Sequence, residues 1–207
     1  DLFALSTMGF RGEALASIAA VAQVELKTRQ AADDLGTEIR IEGSQVLHQE
    51  YCQTAAGTVI SVKNLLYNIP ARRNFLKGDN VELRHIIDEF ERVALANPSV
   101  GLHFLNKQTP VFNLAAGNLR QRISGIFGRK YNERLVPVDE STDVVKLTGF
   151  VLKPAFARKT RGEQFFFVNN RFIKNHYLHH AISDAFNELI PTDQHPGYFL
   201  FMDIDPA

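Results

Sequence analysis

The sequence predicts an α+β protein of two domains, and three observations carry that expectation. Stretches with apolar residues at every second position recur along the chain, the mark of half-buried strands. Between them lie stretches whose apolar residues return every three or four positions, the mark of amphipathic helices. Ala115-Ala116-Gly117-Asn118 is a small-residue break between two such regions, and it sets the expected domains at 1–116 and 117–207. The elements ahead of that break suit helices on one side of a mixed sheet.

Taken in order, Thr7-Met8-Gly9-Phe10-Arg11-Gly12 is a glycine-punctuated loop, and Glu13 to Ala22 reads as a helix with Ala14, Leu15, Ile18 and Ala22 on one face. Val24, Leu26 and Thr28 alternate with polar neighbours, as do Ile39 and Ile41 in a second strand from Gly36 to Gly43. Gly43-Ser44 turns into a partner strand near Val46 and Leu47, and Gly57 to Leu66 is a further strand closed by Asn68-Ile69-Pro70. Asp79 is placed to cap a helix from about Asn80 to Ala96, ended by Asn97-Pro98. Leu102 to Leu105 and Val111 to Leu114 read as a hairpin around Asn106-Lys107. Beyond the break, a helix through Leu119, Ile123, Ile126 and Phe127 stops at Gly128. Strands follow at Val144–Leu152, Gln164–Val168 and Phe172–Ile173, then a helix at His176–Leu189 and a last strand at Tyr198–Ile204. The tight turn Asn169-Asn170 needs positive φ, which Asn tolerates better than most residues.

Composition excludes more than it selects. Twenty-three basic residues balance twenty-three acidic ones, so any surface attractive to polyanions must be local. Cys52 is the single cysteine, which rules out an internal disulfide and fits a reducing compartment. No apolar run approaches the roughly 18–20 residues of a membrane helix. Sixteen Phe and no Trp single out no function. The chain opens at Asp1 without a start methionine and closes at Asp205-Pro206-Ala207 directly after an apolar run, so an excised internal piece of a longer chain is expected.

Two stretches carry chemistry. In Gly9-Phe10-Arg11-Gly12-Glu13-Ala14-Leu15, a glycine loop enters a helix. Unpaired N–H groups and the helix dipole make an anion cradle there, and glycines let phosphate oxygens approach the backbone. The same pattern also serves a glycine turn that only starts a helix, and it is neither a Walker A loop nor a dinucleotide fingerprint. In Gly57 to Arg73, a strand ends in a polar turn and a helix start at Pro70 that bears Arg72 and Arg73. A buried strand followed by a solvated basic helix end is the competing description.

Together these stretches resemble the MutL family of DNA mismatch repair proteins in wording and order: Thr7 to Ile18, then Gly57-Thr58-Val59, then Asn64 to Lys77. The likeness continues through Glu163 to Arg171 and ends at Asp203-Ile204-Asp205-Pro206, covering nearly the whole chain. It implies the distal part of a Bergerat-type (GHKL) ATPase α/β sandwich followed by a ribosomal protein S5 domain 2-like transducer domain, truncated at its C-terminus. By the resemblance, Gly9, Phe10, Arg11, Gly12 and Glu13 belong to the lid loop around the triphosphate, and Thr58 lies beneath the adenine. The general-base glutamate, the Mg²⁺-holding asparagine and the adenine-reading Asp-x-Gly-x-Gly stretch of the family lie upstream of the lid and have no match here. No catalytic residue and no metal ligand is therefore assigned. Asp34-Leu35-Gly36-Thr37-Glu38 has Glu where that last motif needs its second Gly, and it follows the lid. ATP and Mg²⁺ are expected as cofactors of the full-length protein and none of this piece, which is expected to be inactive alone.

The resemblance further implies a homodimer, a mismatch-recognition partner of the MutS type, and a cytoplasmic, nucleoid-associated location without membrane contact. It also implies DNA binding in a basic groove. Arg72, Arg73 and Lys77 form one candidate cluster, and Lys153, Arg158, Lys159, Arg161, Arg171 and Lys174 form another, opposed in sequence only by Glu163. An ATPase of a related family, such as a type II topoisomerase subunit, and a non-enzymatic DNA- or partner-binding module are the alternatives; Pro70-Ala71-Arg72-Arg73 speaks against the topoisomerase. His176, His179 and His180 read as ordinary helix histidines. Asp193-Gln194-His195 is a coincidental likeness to an endonuclease motif, and Cys52 has no base nearby to make it a nucleophile.

Overall fold

The computed structural model describes residues 12–204. The chain divides into two compact units that meet at Glu82/Leu83.

The first unit opens with helix α1 (Ala14–Ala19), which is shorter than the helix to Ala22 expected from the sequence. Its exit is set by bonds to distant backbone: Ser44 N–H donates to the Ala19 carbonyl at 3.1 Å, and Leu66 N–H to the Val21 carbonyl at 2.7 Å. Strands β1 (Gln23–Arg29), β2 (Gly36–Glu42), β3 (Gln45–Cys52) and β4 (Gly57–Lys63) then form a sheet in the order β3-β2-β1-β4, antiparallel throughout. Register sorts the side chains. Val24 lies opposite Ile41 and Val62, and Leu26 opposite Ile39 and Ile60, which makes one face apolar. The alternate positions gather charge: Arg40 Nε meets Glu38 Oε1 at 2.5 Å, and Lys27 and Lys63 reach Glu25 at 3.3 and 3.4 Å. Helix α2 (Pro70–Arg73) follows, with proline at its first turn.

Helix α3 (Asp79–Ala96) starts at the border and continues into the second unit, where Phe90 stacks on Phe112 and packs tilted against Phe104 of a hairpin, β5 (Leu102–Asn106) and β6 (Thr109–Leu114). The hairpin turn is Lys107-Gln108, one residue later than expected, with φ of 47° and 68°. Helix α4 (Leu119–Phe127) carries a full capping box between Asn118 and Gln121. Then come β7 (Leu135–Ser141), β8 (Val145–Leu152), β9 (Gln164–Val168), β10 (Arg171–Phe172), α5 (His176–Ala185) and β11 (Tyr198–Ile204). Their sheet order is β10-β9-β11-β8-β7, mixed because β9 and β11 run parallel.

That parallel pair organises the unit. Its register sets Phe165 beside Phe199 and Phe167 beside Phe201, and the rings stack at 5.5 and 4.4 Å between centroids. This face closes on Leu95 of α3 and Ile123 of α4, both with no exposed surface. The opposite face, with Phe166, Tyr198 and Leu200, receives Leu178 and Ile182 of α5. Helices therefore cover both faces of the mixed sheet, because consecutive apolar residues in β9 and β11 give each strand apolar side chains on both sides. Gly149 permits the close approach of β8 to β11: at φ of 130°, a Cβ there would lie 2.1 Å from the Phe199 carbonyl oxygen.

Two further departures from the sequence reading have local causes. Strand β7 had not been anticipated, since Pro137 interrupts its pattern; it is an edge strand, where a missing N–H is tolerated. Helix α5 ends at Ala185 instead of Leu189, because Phe186 turns inward to 8% exposure while Leu189 stays 60% exposed. The compact border at Glu82/Leu83 falls inside the expected 1–116 domain, and Arg122 ties together the chain around residue 116. This arginine of α4 is 2% exposed and donates to the carbonyls of Pro98 at 2.8 Å and Ala115 at 3.3 Å, and also to that of Val100. Backbone carbonyls ahead of residue 116 are thus bound to one buried cation from beyond it. Leaving those carbonyls unpaired would cost roughly 1–3 kcal/mol each.

The Asn169-Asn170 turn has φ of 47° and 61°, the two positive values of a type I′ hairpin. Asn169 also grips the end of β11: Ile204 N–H donates to its Oδ1 at 3.0 Å, and its Nδ2 donates to the Ile204 carbonyl at 3.1 Å. Asn170→Gly is expected to be neutral or stabilising, whereas Asn169→Gly should lower stability by about 1 kcal/mol. Thermal melts of the two variants check the contrast, and a clear loss of melting temperature for Asn170→Gly would refute it.

Candidate functional site

Gly9, Phe10 and Arg11 of the expected lid lie outside the described residues. Gly12 adopts φ of 66°, a left-handed conformation in which L side chains are strained, and Glu13 precedes α1 with no side-chain cap bond. Thr58 sits on β4 opposite Thr28 of β1, and their hydroxyls are 2.8 Å apart. The register puts this hydroxyl pair on the same face as Ile60 and Val62, which are 44% and 45% exposed. An apolar sheet surface with a polar pair at one end can hold a flat heterocycle and bond its edge, directly or through water.

The basic residues fall into distinct environments. Arg72 and Arg73 end α2, exposed like Lys77, and among the described residues no carboxylate forms an ion pair with them. In the second group, Arg158 and Lys159 are engaged. Arg158 Nη1 pairs with the buried carboxylate of Glu163 at 2.8 Å, and its Nη2 donates to the Tyr131 hydroxyl at 2.8 Å. Tyr131 in turn donates to Glu163, and burial, then that carboxylate, raises the phenol to about 12. Lys159 meets Asp193 at 2.8 Å. Glu163 is therefore not the only opposing acid, and Arg158 serves the loop's architecture. Lys153 stays exposed, and Arg171 is half-buried.

Arg161 and Lys174 line a cavity of about 510 Å³ in the second unit, together with Asp88 and Glu91 of α3, His176 and His179 of α5, and Tyr198. Phe165 and Phe172 contribute aromatic wall. His179 Nδ1 lies 3.0 Å from the Tyr198 hydroxyl, and burial, then the charge of Arg161, holds its imidazole below the usual range. Burial and the neighbouring charge of Asp88 push the Glu91 carboxyl up to about 7, against the pull of Arg92. Arg92 is itself held by Glu89 and lies 4.4 Å over the Phe172 ring. Nothing in the sequence separates Glu91 from the other acids of α3; its position became visible only with the strands packed beside it. Among the described residues, no group of His, Cys, Asp or Glu is arranged to hold a metal ion, and no helix is long and apolar enough to cross a membrane.

The α+β architecture matches solved ATPase domains. An Aquifex aeolicus MutL ATPase domain complexed with ADP superposes with a TM-score of 0.75 at 24% identity, covering 94% of this chain and 72% of that one. The N-terminal domain of a DNA repair protein gives 0.82 at 21% identity, over 96% of this chain and 66% of its own. The ATPase region of Saccharomyces cerevisiae topoisomerase II gives 0.51 at 14% identity, over 96% and 53%. The fold is thus that of the GHKL ATPase class. A family described as DNA mismatch repair protein, C-terminal domain, matches residues 123–207. DNA mismatch repair protein MutL of Christiangramia forsetii is 58% identical over 206 residues, all of this chain and 33% of that protein. The Flavobacterium johnsoniae MutL is 56% identical, with 100% and 32% covered. The chain belongs to the MutL family of DNA mismatch repair proteins. It spans about a third of the length of those relatives.

The raised Glu91 carboxyl has a consequence for stability. Its folded value of about 7 exceeds the ordinary 4.5, so ionising it opposes folding. That cost is absent below the unfolded value and grows as pH rises to the folded one. Glu91→Gln is expected to stabilise the protein by about 1–2 kcal/mol at pH ~8, a figure discounted for the group's partial exposure, and to change nothing at pH ~4. Denaturant titrations at the two pH values measure the difference.

Proposed function

We propose that the protein is the nucleotide-switched, DNA-binding core of a mismatch repair factor, with residues 1–116 contributing the phosphate side of the ATPase domain and 117–207 the transducer. The observation that carries this reading is the 58% identity to a MutL protein across the entire chain. The family match beginning at residue 123 supports the proposed transducer boundary. In this reading Gly9 to Glu13 close over a triphosphate and Thr58 bonds water beneath the adenine, with Mg²⁺ neutralising phosphate charge in the full-length protein. Nucleotide binding orders the lid and brings two copies together, an order–disorder switch that couples a MutS-type mismatch signal to downstream repair in the cytoplasm, at the nucleoid.

This chain's own share is binding. It holds no residue assigned to activate water, so by itself it neither hydrolyses ATP nor binds it tightly. Its DNA contacts are non-specific and made to phosphates, by Arg72, Arg73 and Lys77 on one unit, and by Lys153, Arg161, Arg171 and Lys174 on the other. Arg158 and Lys159 are left out of this set because Glu163 and Asp193 neutralise them.

Two measurements test the reading. Replacing Lys153, Arg161 and Lys174 together by Ala is expected to lower the slope of log affinity against log salt by about 2–3, near 0.9 per lost phosphate contact. Salt-sensitive retention of duplex DNA that survives this replacement defeats the groove. ATP turnover by residues 1–207 alone contradicts the division of labour.

A further inference from the structure

We propose that the cavity lined by α3, α5 and the segment around Lys174 is a phosphate site under proton control, closed by the ionised carboxylate of Glu91 and opened when that carboxylate takes a proton. The inference rests on the DNA reading for its natural ligand, a backbone phosphodiester, and deepens it by naming what regulates the contact.

The cavity's charges balance at alkaline pH. From the loop ahead of β9 comes Arg161, and from the segment after β10 comes Lys174. Helix α3 answers with two carboxylates, Asp88 and Glu91, one turn apart. The third cation in the wall, Arg92, is already paired with Glu89 and laid over Phe172. Two cations without an ion pair among the described residues thus share the cavity wall with two carboxylates, and an incoming phosphate meets no net charge.

Glu91 is the member that can change. It is half-buried, and among the described residues it has no hydrogen bond or ion pair. Burial, with Asp88 beside it, has pushed its carboxyl to about 7, so a modest fall in pH neutralises it. The cavity then carries a net positive charge, without movement of any element. The remaining titratable neighbours are His176 and His179 on α5 and Tyr198 on β11. Tyr198 is raised to about 12 by burial and stays neutral throughout. His179 is held below its usual range, by burial first, and so charges later than an exposed imidazole. Protonation of either histidine acts in the same direction as that of Glu91, which makes a Glu91 variant the necessary discriminator.

The test uses sulfate and duplex DNA, because neither a sulfate nor a phosphodiester titrates between about pH 6 and about pH 8, so any dependence belongs to the protein. Sulfate binding to the full chain is followed by the amide resonances of Gly162 and Asn175, both in the cavity wall. The wild-type protein is expected to bind sulfate about five- to tenfold more tightly at pH ~6 than at pH ~8, and Glu91→Gln to bind at pH ~8 with nearly the tighter affinity. Wild-type binding near pH 7 should also take up a proton, seen as a heat that varies with the ionisation enthalpy of the buffer. Three results overturn the proposal: a Glu91→Gln protein that keeps the wild-type pH dependence, which would assign it to the histidines; no proton uptake by the wild type; or sulfate shifts confined to residues away from the cavity. If sulfate behaves as expected while DNA is retained at neither pH, the cavity stands and the DNA reading falls. If DNA is retained with a salt slope carried by Lys153, Arg161 and Lys174 but without dependence on Glu91, the reverse holds.

Discussion

The parallel pairing of β9 with β11 is the contact on which the second unit depends. Each strand contributes Phe at alternate positions, and the register brings Phe165 against Phe199 and Phe167 against Phe201. A shift of one residue would reverse every side chain on the strand, sending these rings to the α5 face and Phe166 to the α3–α4 face. Both cores would fail together. The same register carries Asn169 to Ile204 and so fixes where the turn into β10 lies. It also places Phe165 and Tyr198 in the wall of the cavity that Arg161, Lys174 and Glu91 share. The abundance of Phe, which had no meaning as composition, is the material of this ladder.

Charge in this protein is organised by burial more than by number. The first unit's sheet keeps its ions on one face, where Arg40, Lys27 and Lys63 bind Glu25 and Glu38. In the second unit, three ionic groups are drawn inward, and each meets a different fate. Arg122 is held by backbone carbonyls. Glu163 is held by Arg158 and Tyr131. Glu91 has no ion pair or hydrogen bond among the described residues, and burial holds its carboxyl up at about 7. Desolvation disfavours the charged forms of Arg122 and Glu91, and only compensation separates a structural ion from the responsive one.

Legibility from the sequence followed the range of the forces involved. Strands β1, β2, β4 and β8 were readable because period-two alternation records burial on one face, β9 and β11 because short apolar runs mark strands buried on both, and α4 because its glycine stop is local. Strand β7 was not, since Pro137 obscures an edge strand whose pairing partner supplies its evidence. The ends of α1 and α5 were misplaced because tertiary bonds and the inward turn of Phe186 decide them. In the candidate site, Thr58, Arg161 and Lys174 were named from motif and charge. The pairing that removes Lys159 from the phosphate-binding set was invisible, as Asp193 lies far from it along the chain, whereas the acid that holds Arg158, Glu163, is five residues away.

By itself the sequence determined the family, the α+β class, and the order of most elements, because each is written in short-range patterns of polarity, glycine and proline. Tertiary structure alone decided which charges are free. A carboxylate's proton affinity depends on the solvent removed from it and on ions brought within a few ångströms, and those arrive from strands and helices separated by scores of residues. For that reason Glu91 reads like any acid of an amphipathic helix until α3, α5 and the β9–β11 ladder are assembled around it.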